Sequence, residues 1–172
     1  MATTPLHEPS HYFITDTSSL IAIREIVPVS SRGGVFLSMS QLVQQGHLLY
    51  PNEVAEELAA HVRSPDPIFT WVKSNKETAT RFGTRWDELQ EVMKHPIASL
   101  VIDIEKASGP DEADPYVLAL ALALRKRAEV LVVTEETRDR LGRNSMTTAC
   151  GALRLVRLPL RAFLMDRKIW AG

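Results

Sequence analysis

At 172 residues, 45% of them apolar and 24% charged, the chain has the make-up of one compact α/β domain and is too short for two. A single cysteine, Cys150, excludes an internal disulfide framework and fits a reducing compartment, and no apolar run approaches the ~18 residues that a membrane span needs. The net charge of −1 argues against a strongly basic nucleic-acid binder, but it hides an asymmetry: residues 1–120 carry 9 Lys and Arg against 16 Asp and Glu, residues 121–172 carry 11 against 5.

The N-terminal stretch MATTPLHEPSHYF has neither a basic nor an apolar leader region, so a cytoplasmic protein without a secretion signal is expected. His7-Glu8-Pro9-Ser10-His11 matches a zinc-protease pattern on paper. That pattern works only on a helix, and a proline inside one costs ~3 kcal/mol. Tyr12 to Thr15 is a short β-prone run ending at Asp16, and Thr17-Ser18-Ser19 can cap a helix through Leu20 to Ile26. Pro28 to Gly34 reads as a turn-rich break. Val35 to Gln45 has helical spacing, with Val35, Leu37, Met39, Leu42 and Val43 as its apolar set. His47 to Tyr50 is a second short strand, and Asn52 to Val62 a helix.

Ile68 to Ala107 reads as two or three helices that carry Phe69, Trp71, Val72, Trp86, Leu89, Val92 and Met93 inward. A loop at Ser108-Gly109-Pro110 precedes the clearest helix, Asp114 to Arg127, with Pro115 suited to its first turn. Val130 to Val133 is the wholly apolar run of a buried parallel strand. A loop, a short helix ending near Cys150-Gly151, a strand over Leu153 to Leu158 and a helix from Pro159 complete the chain. Strands separated by helices imply a three-layer α/β/α sandwich around a parallel sheet, here with an extra helical segment in the middle. One domain over 1–172 is expected, with about 64–108 as that helical insertion.

Ligands of such sheets bind outside the carboxyl ends of the strands. Asp16 stands there directly, and so do Glu135 and Glu136. Asp114 is returned there by a helix that runs antiparallel to the strand it precedes, and the helix from Asn52 starts there too. On that helix Val54, Leu58 and Val62 mark the buried stripe at ~100° per residue; Glu57 borders it, Glu53 lies further round and Glu56 points away. Four carboxylates from four segments would repel one another unless a cation sat among them, and oxygen-only ligation suits Mg²⁺ or Mn²⁺. Each acid also has a plainer reading: Asp114 as a helix N-cap, Asp16 as a strand-to-helix junction, Glu57 as a solvated helix residue, Glu135-Glu136 as a charged loop. Arg125, Lys126, Arg127, Arg138, Arg140, Arg143, Arg154, Arg157, Arg161, Arg167 and Lys168 are candidates for a positive rim or, one by one, solvated surface. No Gly-rich phosphate loop, G-x-S-x-G or CxxC occurs, and Ser18 stands where a haloacid-dehalogenase-type enzyme needs its second Asp.

Ile14-Thr15-Asp16-Thr17-Ser18-Ser19-Leu20 resembles the opening strand of PIN domains. Pro51 to Leu58, Ala113 to Ala121 and Val132-Val133-Thr134-Glu135-Glu136 resemble their second, third and fourth acidic motifs, in the expected order. The likeness is to PIN-like, VapC-type toxin ribonucleases with a longer helical middle. It implies metal ligation by Asp16, Glu57 and Asp114, with Glu136 as the fourth acid and Glu135 as the alternative. Thr17 and Thr134 become supporting hydroxyls, and Asp111 and Glu112 neighbours able to assist. It further implies a Mg²⁺- or Mn²⁺-dependent endoribonuclease acting on RNA, a cognate antitoxin protein as partner, and a homodimer. The alternative is a catalytically inactive PIN-fold binding module acting through protein–protein contacts.

Overall fold

The computed structural model describes residues 9–61, 66–102 and 112–172. Among them, β1 (His11–Thr15), β2 (Leu48–Leu49), β3 (Glu129–Val133) and β4 (Val156–Leu158) form one sheet in the order β2-β1-β3-β4. Every pairing is parallel, with Thr15 opposite Val133 and Val133 opposite Leu158. The helices are α1 (Thr17–Ile26), α2 (Val29–Gln44), α3 (Asn52–His61), α4 (Pro67–Ala79), α5 (Trp86–Lys94), α6 (Asp114–Leu124), α7 (Met146–Ala152) and α8 (Leu160–Asp166), with a 3₁₀ turn at Ala98–Val101.

This is an α/β three-layer sandwich. α1 and α8 pack together on one face, and α6 and α7, which both touch the 3₁₀ turn, lie on the other. Phe13 of β1 meets Phe163 of α8, ring centres 5.0 Å apart. On α6 nearly every residue from Val117 to Leu124 is buried, which explains why it lacks a polar face: it lies between the sheet and α5. None of the helices is long and apolar enough to cross a membrane among the described residues.

Two expectations need correction. Pro28 to Gly34 is not a break: α2 begins at Val29 with Pro28 at its N-cap position, and Gly33 and Gly34 lie inside it. Each glycine costs about 1 kcal/mol in a helix, offset by burial of Val35, Met39 and Val43 further along the same helix. Trp86 and Met93 do not point inward; they are 65% and 43% exposed, because α5 uses Glu88 and Val92 to face α6. Glu88, itself buried, accepts from Lys126 Nζ at 2.8 Å, and that bond holds its carboxyl below the usual range. Leu37 is likewise exposed. Val62, the loop at Ser108 to Pro110 and His7-Glu8 lie outside the described residues.

The middle helices are part of the core. Trp71 of α4 donates from Nε1 to Ser40 Oγ at 2.8 Å and to the Phe36 carbonyl at 3.0 Å, while Asn75 donates to the same hydroxyl at 3.2 Å. Buried Tyr50, just past β2, donates to the Val72 carbonyl at 2.7 Å. These bonds satisfy groups that would otherwise be stranded in an apolar interior.

The amino edge of the sheet carries a different polar cluster. His11 Nε2 lies 2.8 Å from Arg167 Nη1, and a guanidinium only donates, so His11 is neutral there. Burial first, then Arg167 and His47, lower its pKa below 6.5 against weaker pulls from Glu129 and Asp166. The folded state therefore resists a proton that the unfolded chain accepts. This contribution to stability is intact above about pH 6.5 and is lost as pH falls below it. The difference in melting temperature between wild type and His11→Gln should accordingly shrink between pH 7.5 and pH 5; a constant difference would remove His11 from the account.

Candidate functional site

The carboxyl edge is assembled by backbone bonds that continue the sheet past its strands. The Asp16 amide donates to the Val133 carbonyl at 3.3 Å and the Thr134 amide to the Leu158 carbonyl at 3.1 Å. Asp16, Thr134 and the start of α8 are thereby set side by side.

Asp16 is 1% exposed and caps α1, accepting from the Ser19 amide and the Ser18 hydroxyl, both at 2.8 Å. Burial pushes its carboxyl up in pKa, against hydrogen bonds from Thr134, Ser19 and Ser18 that stabilise the anion. Thr17, next along, donates to Glu57 Oε2 at 2.5 Å, which ties α3 to α1. Glu57 is half-buried, whereas Glu56 is exposed and takes its bond from the Asn52 amide group.

Asp114 is the first residue of α6, with Ala113 in the cap position, so its carboxylate is not spent on capping. It receives Arg143 Nη2 at 2.9 Å. Burial raises the Asp114 pKa well above the ordinary range, and Asp16, Glu136 and Glu57 raise it further, with Arg143 opposing. Asp114 thus feels all three of the other acids that the sequence singled out.

Glu135 and Glu136 part company. Glu135 turns to α8 and accepts the Leu160 amide at 2.6 Å, an N-terminal cap. Glu136 turns the other way, its Oε1 3.5 Å from Arg143 Nη2. Its backbone is held by Thr134 Oγ1 at 3.1 Å and by Thr147, whose hydroxyl donates to the Glu136 carbonyl at 2.8 Å. Glu112 acts electrostatically on Arg143 from the same neighbourhood, while Asp111 lies outside the described residues. Cys150 of α7 lies buried beneath the acids; burial, then Asp16 and Asp114, push its thiol up to about 12. A thiol so disfavoured as an anion is a packing residue, not a nucleophile.

In the sequence Arg143 is only one of eleven cations of the C-terminal third. Its distinguishing signal is its place in the loop after β3, the same edge rule that selected the acids. The rule divides the other cations as well. Arg125, Lys126 and Arg127 follow α6 and stand at the amino edge with Arg154, away from the acids. Arg125 and Lys126 are engaged there with Leu153 and Glu88. Arg138, Arg140 and Arg143 remain on the carboxyl side.

Among the described residues no three His, Cys, Asp or Glu side chains are drawn into a ready ligand cluster. The donor set nevertheless fits a hard divalent cation. It is all carboxylate oxygen, it is deeply buried at Asp16 and Asp114, and Asp114 and Glu136 share the guanidinium of Arg143. No curated protein and no solved structure matches the chain. One family model matches, described as a domain of unknown function, DUF4411, over residues 13–169, a span that holds all four acids and Arg143. The chain belongs to the DUF4411 family.

Proposed function

We propose that the protein is a metal-dependent ribonuclease of the PIN type, hydrolysing RNA phosphodiester bonds and held in check in the cell by a dedicated antitoxin protein. The observation that carries this reading is the placement of Asp16, Asp114 and Glu136 at the carboxyl edge of a parallel sheet, with Thr17 tying Glu57 to α1 beside Asp16 and Arg143 joining Asp114 to Glu136. Structural helix caps have no need of four mutually repelling acids.

Asp16, Glu57, Asp114 and Glu136 would hold Mg²⁺ or Mn²⁺. Once bound, that ion supplies a water of lowered pKa and positive charge toward the scissile phosphate. Thr17 and Thr134 hold the carboxylates of Glu57 and Asp16 by hydroxyl bonds. Arg138 and Arg140, exposed on the loop after β3, are placed for the RNA backbone.

A second reading has an observation of its own. Arg143 already neutralises part of the acidic cluster, as it would in a binding module without catalysis. Cleavage separates the two. Purified protein should cut RNA in Mg²⁺ or Mn²⁺ and stop in EDTA, recovering when the metal is restored. Cleavage that survives exhaustive chelation would overturn the metal mechanism, and absence of cleavage with either metal would favour the binding module.

A further inference from the structure

The hairpin Arg140 to Arg143 is closed by a pair of backbone bonds, Arg140 N to Arg143 O at 2.8 Å and the reverse at 3.1 Å. Gly142 sits at φ +75°, a conformation that suits glycine, and Leu141 is fully exposed at the tip. The hairpin is fastened to the 3₁₀ turn by the Asn144 amide on the Leu100 carbonyl, the Asn144 side chain on the Ile97 carbonyl, and Arg143 Nε on the Val101 carbonyl at 2.8 Å. From that anchor the guanidinium reaches Asp114 Oδ2 at 2.9 Å and Glu136 Oε1 at 3.5 Å. The Arg143 side chain is only 17% exposed.

A guanidinium is always charged, has no acceptor, and binds carboxylates through fixed donors. The oxygen of Asp114 that it holds cannot at the same time give its full electron density to a metal. A divalent ion brought close to a fixed guanidinium is also repelled by it at short range and low local dielectric. Arg143 and a divalent cation therefore compete for the same two acids. The Nε bond to Val101 does not involve those acids, so Arg143 can release them without losing its anchor.

We propose that Arg143 is a built-in counter-cation of the acidic site, a positioning residue. In the metal-free protein it holds Asp114 and Glu136 together, and the entering metal displaces it toward the space where a substrate phosphate arrives. This rests on the metal-site reading above and adds a regulatory element to it: the metal-loaded state presents one more free cation than the metal-free state.

The test is Mn²⁺ binding to wild type, Arg143→Lys and Arg143→Gln, measured by calorimetry and by the electron-spin signal of free Mn²⁺, without RNA. Arg143→Gln should bind Mn²⁺ about tenfold more tightly than wild type, since the competitor is gone. Arg143→Lys, which keeps the charge, should stay within about threefold of wild type. The metal-free Arg143→Gln protein should melt lower than wild type, and saturating Mn²⁺ should raise its melting temperature more. If wild type binds Mn²⁺ and Arg143→Gln binds it equally or less tightly, Arg143 is only a structural anchor and the inference fails, while the metal site stands. If no variant binds Mn²⁺, the metal site itself fails and takes the inference with it. A second measurement does not depend on the Gln variant folding. In ¹⁵N-labelled wild type, the Arg143 Nε–H resonance, assigned by its loss in Arg143→Lys, should shift on titration with Mg²⁺. A resonance unmoved at saturating Mg²⁺ would also overturn the inference.

Discussion

Asp16→Asn should yield a protein that melts at or above the wild-type temperature yet cleaves RNA about a hundredfold more slowly or worse in Mg²⁺. The stability half follows from the cap. Asparagine caps a helix as well as aspartate does: its Oδ1 keeps the bond from the Ser19 amide, and its Nδ2, standing where Oδ2 was, donates to the Ser18 hydroxyl instead of accepting from it. What disappears is a carboxyl whose pKa burial raises and whose charge raises that of Asp114. A carboxyl with a raised folded pKa favours the fold at low pH, and that favour is lost as pH climbs through the folded value. The Asn variant should therefore gain on wild type as pH rises from about 4 to 8, read as a widening difference in melting temperature without metal. The catalytic half follows, on the proposed reading, from losing one of the charges that would hold the ion. If the toxin reading proposed above holds, wild type expressed alone in cells should arrest growth and the variant should not. Equal arrest by both, with the variant folded, would assign the toxicity to binding.

The largest contrast between adjacent residues is expected at Glu135 and Glu136. Glu136→Gln keeps both backbone anchors, to Thr134 and Thr147, and so stays in place while losing its charge. Its cleavage rate should drop about a hundredfold, with little change in melting temperature. Glu135→Ala removes the carboxylate that caps α8 and should cost about 1 kcal/mol of stability. Its cleavage rate, measured well below its melting temperature, should stay within a few-fold of wild type. The opposite pattern would transfer the role to Glu135.

The edge of the sheet was legible from the sequence because it depends on order alone. An apolar strand, a helix before it and an acid at each junction suffice to place Asp16, Asp114 and Glu136 at one end. Helical phase sufficed to set Glu57 apart from Glu56. Individual side-chain commitments were not legible. The Asp-Pro pair at the head of α6 looks the same whether Asp114 caps the helix or begins it, and only the position of Ala113 decides. Glu135 and Glu136 are identical in type, and their opposite directions follow from where α8 starts relative to β3. Gly33 and Gly34 carry a strong local signal for a break that tertiary packing of α2 overrides. The size of Trp86 suggests burial, but α5 docks through Val92 and the pair Glu88–Lys126 and leaves the indole outside. Arg143 stayed hidden because a lone arginine in a loop carries no periodicity.

The bonds made by Trp71, Asn75 and Tyr50 bear on how small this domain can be made. A shortened chain, with residues 64–108 replaced by a brief linker, would leave the Tyr50 hydroxyl and Ser40 without their α4 partners and would uncover the apolar flank of α6 now shielded by α5. A buried hydroxyl stripped of its partner costs about 1–3 kcal/mol by itself, a large share of what holds a domain of this size together. The middle helices cannot be trimmed away as a decoration on a smaller domain: they complete the wall against which the edge strand β2 and the Asp114 helix are built.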